Sequence, residues 1–598
     1  MDHPIILAQF TAASPWAAWV SYGAGIWYTD LSGAYPLVDS ELVTGIAIKD
    51  LESNIGTVIY DGDELPKAES LTELLSAPSY YWVSTTRTLY AHFPMFNPPN
   101  ATVSIGILYS VAQEFFDGLD GTIFLPHLKD LPPLSQEKDR IFFKKIALNS
   151  WTMTLNNSGL TYDGLPDWGV YNRIVQYYLG EAGQPFSEFV PIRSGRIRDF
   201  AFRGSEVIVN VQDLRAQLTL RAPTTSLTVA EYPNLDTKLS GKKKPIAFGR
   251  LFDVEPACLN ATDPTGPYVF LLADPVYGSL KAVDDVRVDG ADVVPSAIDL
   301  EACTVTLTAG QVLDGSQFRS VRVDFQGYSD AEGDLIENPL DIIAWLLANV
   351  AGVEYNSTNY SQLEWEREKL EKPSVALLLS SPIQILSVIE SMMEATRGGF
   401  LVTPDGRFTW RTPNYAARPK WNITDLDWIE MPEVTYDTSE VLASVRVGYR
   451  RSQAEGSYRY VETTTRAATV YRDFRILDDE DFDLPLVDAE DAETFGSDVM
   501  SLSGEPATIV NGRVPIDFAG MQIGQNAQVA LNRYVGGSFQ TWLGVLQGEI
   551  LGVAPDAASG EVEITVRIVR GIPEYLATTG TGAIYGACVY GATSYGEA

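Results

Sequence analysis

Apolar and polar residues alternate with a period of two along most of this chain, the pattern of strands that bury one face. In "EVEITVRIVRG", Val562, Ile564, Val566 and Ile568 face one way. In "SVRVGYRRS", Val445, Val447 and Tyr449 do so, and in "GSEVIVNVQDL" Val207, Val209 and Val211. Residues 266–328 repeat the pattern in "YVFLLADP", "VDDVRVDGADVVP", "CTVTLTAG" and "SVRVDFQGYSD", with a hairpin predicted around Asp289-Gly290. "PDWGVYNRIVQYYLGEAG" is read as a short helix, and "AQVALNRYVGGSFQTWLGVLQGEILGVAP" either as a helix leading into strands or as strands throughout.

One stretch, Glu337 to Arg411, breaks the alternation. Asn338 and Pro339 suit a helix cap and first turn, Ile342, Ile343, Leu346, Leu347 and Val350 form a stripe at helical spacing, and Gly352 marks the stop. A second helix is predicted from a Ser381 cap, Pro382 and a capping-box Gln384, with Ile385, Leu386, Ile389, Met392 and Met393 buried and Gly398-Gly399 ending it. "FLVT" and "RFTWR" around Pro404-Asp405-Gly406 predict a tight hairpin. The expected fold class is α+β, mainly β, and multidomain, since 598 residues exceed one core.

Composition narrows the chemistry. Lys plus Arg number 43 against 78 Asp plus Glu, a formal net charge of −35, which opposes nucleic-acid binding through phosphate neutralisation. The same charge suits a path along which nucleic acid slides without sticking. Cys258, Cys303 and Cys588 lie too far apart for a zinc or disulfide pattern, and the three histidines, His3, His92 and His127, argue against histidine-based metal or nucleophile chemistry. No apolar run spans a bilayer, and Met1-Asp2-His3-Pro4 opens no secretory signal. The ten acids between Asp478 and Asp498 lack EF-hand spacing and read as a solvated or channel-facing acidic loop. Lys242-Lys243-Lys244 follow no glycine-rich phosphate loop, and no Gly-x-Ser-x-Gly, HExxH, Walker or dinucleotide motif occurs. No catalytic, cofactor-binding or metal residues are therefore assigned, and no enzyme activity is expected. Trp16, Trp19, Tyr22, Trp27 and Tyr28 admit a carbohydrate-binding alternative but fit a core or a subunit contact better.

Two ordered phrases carry a resemblance. "ENPLDIIAWLLANVAG", "SPIQILSVIESMMEATRGGF" and "LVTPDGRFTWR" resemble the helical module of bacteriophage tail-tip and baseplate hub proteins. On its N-terminal side, "KKPIAFG" is similar to a phrase such hubs carry before an apolar strand, and "IRDFAFRGSEVIVNVQDL" resembles another tail-protein pattern. The resemblance implies a homotrimer in which each subunit supplies two tube-forming, β-barrel-like domains. That ring adapts a sixfold tail tube above to a threefold central fibre or spike below, with the tape-measure protein and then DNA in its lumen, in a virion made in the host cytoplasm. It divides the chain into a β-rich 1–130, a first tube-type domain over 131–245 that is either separate from it or continuous with it, a small β insertion over 246–335, the helical module with its hairpin over 336–411, a second tube-type domain over 412–575, and an extended Gly/Tyr-rich tail over 576–598 that would hold the fibre. A receptor-binding or carbohydrate-active tail protein is the alternative.

Overall fold

The computed structural model describes residues 126–569, apart from 131–133, 138–149, 164, 168–169, 182–183, 316, 371, 414–417, 536–537 and 557–558, together with the backbone of the strands between 4 and 124. The N-terminal aromatic cluster's side chains and the 576–598 tail lie outside the described residues.

The chain is mainly β. A nine-stranded antiparallel sheet runs in the order Leu128–Asp130, Ser150–Asn156, Glu206–Gln212, Val190–Arg203, Ile174–Glu181, Pro4–Ser14, Val103–Ala112, Ile55–Tyr60, Asp63–Leu65. A second large sheet runs Trp421–Ile423, Asn526–Val535, Ser538–Asp556, Glu561–Ile568, Ala507–Pro515, Glu433–Asp437. Gln136–Glu137, far upstream, pairs into this second sheet at Val553 and Gly552. The two sheets share one core. Met153, Val175, Val207, Val209 and Val211 from the first pack in the same cluster as Val510, Val529, Ile564 and Val566 from the second. Period-two alternation explains this directly, because every second residue of these strands is buried.

Between the sheets in sequence lie two four-stranded sheets. One is Arg250–Val254, Val321–Tyr328, Leu280–Val288, Ala291–Asp292, and the other is Ala257–Cys258, Tyr268–Leu271, Thr304–Leu307, Ala297–Asp299. The hairpin at Asp289-Gly290 forms as expected, with both residues at positive φ and Val288 opposite Ala291. These sheets share a core with the helices at 339–396 and with a three-stranded sheet of Tyr458–Thr465, Ser444–Arg451 and Asp479–Asp483.

Four local expectations are corrected. The helix expected in "PDWGVYNRIVQYYLGEAG" is a strand, Ile174–Glu181, preceded by one 3-10 turn at Leu165–Asp167. Its buried Val175, Tyr177 and Leu179 repeat every second residue, and its β-branched and aromatic residues favour a strand. The second helix begins at Ile385 without a Ser381 cap, because Ile383 and Gln384 extend to pair with Ala222 and Arg221. It ends at Arg397 in the left-handed region, φ 52°, one residue ahead of the two glycines. A helix that the hydrophobic pattern did not reveal, Gln362–Lys369, sits between the other two, because only Trp365 of its eight residues is buried. The acidic run is no loop. It forms the strand Asp479–Asp483 and most of a helix, Ala489–Ser503, which buries Ala492, Phe495, Val499 and Met500. The alternative left open for the segment beginning at Ala527 resolves to strands, Asn526–Val535 and Ser538–Asp556.

Candidate functional site

The helical module is the joint of the molecule. Asn338 caps its first helix, Pro339–Ala351, by accepting from the Leu340 N–H at 3.0 Å, and Gly352 closes it at φ 67°. The Pro245–Arg250 phrase lies against it. Ile246–Phe248 pairs with Leu377–Leu379, and Gly249 donates its N–H to the Ile336 carbonyl. Gly249 has φ 64°, and a Cβ there would meet the Val375 carbonyl oxygen at 1.9 Å, so only glycine fits. The two sequence phrases that carried the resemblance are thus neighbours in space.

The hairpin Gly399–Val402/Phe408–Arg411 reaches both large sheets. At its turn the Ser194 hydroxyl, on a strand of the nine-stranded sheet, donates to the Pro404 carbonyl at 2.7 Å. At its far end Arg411 donates to the Ile523 carbonyl at 2.8 Å and to Gln522 Oε1 at 2.9 Å, next to the second sheet. Burial lowers the pKa of the Arg411 guanidinium, while Glu364 and Glu368 pull it back up. These two carboxylates sit one turn apart on the Gln362–Lys369 helix, so they face the same way. Glu364 also accepts from the Thr409 hydroxyl at 2.9 Å and Glu368 from the Thr412 N–H at 3.2 Å. Beneath them Trp365, Trp410, Phe400, Phe408 and Tyr360 pack edge to face or stacked, with ring centroids 5.0–6.4 Å apart.

A second joint is ionic. Asp253, at φ 53°, and Asp324 share the guanidiniums of Arg287 and Arg459. Arg287 lies 2.8 Å from Asp253, and the Asp253 N–H donates to Asp324 at 2.7 Å. Arg450 and Arg459 stack over the Phe252 ring at 5.8 and 5.4 Å. Burial alone would raise Asp253, but the hydrogen bond and charge of Arg459 outweigh it and hold the carboxyl below its ordinary pKa. For Asp324 burial wins and the pKa rises. The opposite directions fit the geometry, since the Arg459 fork is aimed at Asp253 and only grazes Asp324 at 4.0 Å. The network ties the sheet of Arg250–Val254, Val321–Tyr328 and Leu280–Val288 to the Ser444–Thr465 hairpin.

A cleft of about 690 Å³ opens between these helices and the Ala489–Ser503 helix, lined in part by Arg367, Glu368, Lys372, Arg397, Asp491 and Asp498. Its basic side chains pair with acids of the same cleft. Lys372 lies 3.5 Å from Glu368, Arg397 pairs with Asp498, and Asp491 accepts from the Ser374 N–H at 3.3 Å.

The residues singled out in the sequence are placed as follows. Cys258 and Cys303 are buried free thiols, pushed up by burial to about 11 and about 12. His127 hydrogen-bonds to the Tyr162 hydroxyl at 2.8 Å. Lys243 and Lys244 are spent on local contacts. Lys243 donates to the Thr224 carbonyl and to Ser226, and buried Lys244 binds Glu231 at 2.6 Å over the Tyr232 ring. Among the described residues, no three His, Cys, Asp or Glu side chains are grouped to hold a metal, and no helix is long and apolar enough to cross a membrane. Sequence reading missed the Arg411 anchor and the Asp253–Arg459 network. The spacing of Glu364 and Glu368 was the one visible sign of the first.

No family model and no curated relative matches the chain. Among solved structures, its fold is similar to that of a tail protein from Neisseria meningitidis MC58, at 9% identity over 75% of this chain and 94% of that one, with a TM-score of 0.36. It is similar also to a 43 kDa tail protein of prophage MuSo2 from Shewanella oneidensis, at 9% identity over 75% and 95% of the two chains and a TM-score of 0.34. A third is a prophage tail protein from Listeria monocytogenes EGD-e, at 8% identity over 76% and 94% and a TM-score of 0.33.

Proposed function

We propose that the chain is a structural protein of a phage-type tail, a trimeric hub at the tail tip or baseplate with no catalytic role. Each subunit places two β modules side by side, so three subunits present six positions to the tail tube and threefold symmetry to a central fibre or spike. The observation that carries this reading is the clamp. Segments 150–212 and 421–568, far apart in sequence, share one core and are cross-linked by a single hairpin through Ser194–Pro404 and Arg411–Ile523. A rigid two-module block is what a ring subunit needs, because a ring closes only if the angle between its modules is fixed. Neighbours in the assembly would be tube proteins above, the fibre or spike below through the 576–598 tail, and the tape-measure protein in the lumen. The net charge of −35 on each copy would let DNA pass without adhering.

Electron microscopy of particles with and without this chain, using gold-labelled antibody against it, tests the reading. Expected are label at the distal end of the tail only and defective tips when the chain is missing. Label along the tube, or complete infectious tails without the chain, would overturn it.

A further inference from the structure

We propose that the strand Tyr458–Thr465 is the edge through which one copy of this chain contacts a second copy, head to tail; the inference rests on the hub reading above and assigns it a subunit contact. The strand is the outer member of its three-stranded sheet, and among the described residues no other strand pairs with its free side. It is eight residues long and keeps one register from Ser444–Thr465 to Arg451–Tyr458 without a bulge. Its composition, "YRYVETTT", is aromatic and β-branched. Chains that stay alone blunt such edges with bulges, prolines or outward charges. Here both charges on the strand are engaged within the chain. Arg459 is held by Asp253, and Glu462 accepts from the Tyr449 hydroxyl at 3.4 Å. Tyr460 and Val461 are 49% and 57% exposed beside the open edge.

Charge identifies the occupant. Residues 446–475 hold seven arginines against Glu455, Glu462 and Asp473, in a chain whose net charge is −35. Exposed Arg451, Arg466 and Arg475 form no ion pair among the described residues. The strand's own two charges cancel, but Arg451, opposite Tyr458, and Arg466, directly after Thr465, place an arginine at each of its ends, and on an acidic protein such an edge is complementary to the remaining surface of another copy. It is not complementary to itself. An antiparallel twofold contact would set the arginines flanking one edge, Arg451 and Arg466, against those of the other, and like charges across an interface are unfavourable. The contact is therefore heterologous, with this edge on one copy meeting a different, acidic surface on the next. Contacts of that kind close into rings when the rotation allows.

Two measurements on the full chain test it. The first is the solution mass, by light scattering, of the wild type and of the triple variant Arg451→Glu, Arg466→Glu, Arg475→Glu, with circular dichroism and the thermal midpoint confirming that the variant folds. The second places a photo-reactive residue at Thr463 in a mixture of isotope-labelled and unlabelled chains and maps the cross-links. Expected are a wild-type mass three times that of the chain, a threefold drop in the variant, and cross-links from position 463 to acidic segments of another copy outside 444–465. If both proteins keep the threefold mass, the edge is not the contact and the three-copy reading survives. If the wild type has the mass of one chain at its highest soluble concentration and position 463 cross-links only within its own chain, both fall. Cross-links joining 463 to the same strand of a second copy would overturn the head-to-tail arrangement.

Discussion

Gly398 is the most exacting position in the clamp. A Cβ built on it would lie 2.0 Å from Trp410 Nε1 and 2.5 Å from Trp410 Cε2, against 3.4–4 Å for an ordinary contact. The indole must therefore retreat by more than an ångström. It has nowhere to go, since Trp410 is 1% exposed and its ring meets Trp365 edge to face at 6.4 Å. Overpacking of a tight core costs roughly 1–3 kcal/mol, and a contact this short against a buried ring belongs at the upper end, so Gly398→Ala should cost about 3 kcal/mol. That is over a hundredfold in the opening equilibrium. Gly352→Ala is the control. It has φ 67° but nothing within 4 Å of its Cβ, so only the left-handed backbone penalty of about 1 kcal/mol applies. Trp410→Phe makes room at Gly398 and sacrifices no hydrogen bond seen here, because Trp410 Nε1 has no partner among the described residues. The double variant should recover at least half of the Gly398→Ala loss relative to Trp410→Phe alone. Native-state hydrogen exchange on peptides covering 385–411 reads the four variants and the wild type. Equal protection in Gly398→Ala and wild type, or additive losses in the double variant, would refute the packing argument.

Other outcomes follow from the two joints. Arg411→Ala strands the Ile523 carbonyl and removes a cation from beside Glu364 and Glu368, and should cost about 2–4 kcal/mol, with faster protease cleavage near 412–420; Arg411→Lys should fall between. Asn338→Ala removes a helix cap and should lower stability by about 1 kcal/mol in urea unfolding. Asp253→Asn should destabilise the insertion by about 1–3 kcal/mol at pH 7, kept modest by the partial exposure of both guanidiniums, whereas Asp324→Asn should cost less. The pH dependence has a definite sign. The depressed Asp253 carboxyl contributes stability that is present above the ordinary aspartate value of about 3.9 and lost as pH falls through its lower folded value. Asp324 protonates first, and because its folded pKa is raised, its protonation favours the fold. Stability of the insertion followed by exchange from pH 7 to 3 should therefore drop steeply only below about pH 4 in wild type, and Asp253→Asn should remove that drop.

The strands were legible wherever one face is buried, because alternation is a local signal. Val562 to Ile568 and Val207 to Val211 kept their period in the fold. The Pro339–Ala351 helix was legible because its cap, stripe and stop agree. What failed depended on distant partners. Ile383 and Gln384 read as a first helical turn but extend to pair with Ala222 and Arg221, more than 160 residues upstream. The Gln362–Lys369 helix buries a single residue, so it leaves no stripe to read. The acidic run reads as solvated by charge alone, yet Ala492, Phe495, Val499 and Met500 keep a buried helical face among the acids. The clamp itself was invisible. Ser194 and Arg411 become functional only when the fold brings Pro404 and Ile523 to them.

The central claim, a ring of three subunits that each contribute two clamped β modules, is tested most directly by a cryo-electron microscopy map of the assembled tail reconstructed without imposed symmetry. Expected are three copies of this chain around the axis, with the 150–212 and 421–568 modules alternating at six positions and the 399–411 hairpin spanning each pair. Six copies, a single off-axis copy, or two modules separated by a gap within one subunit would contradict it.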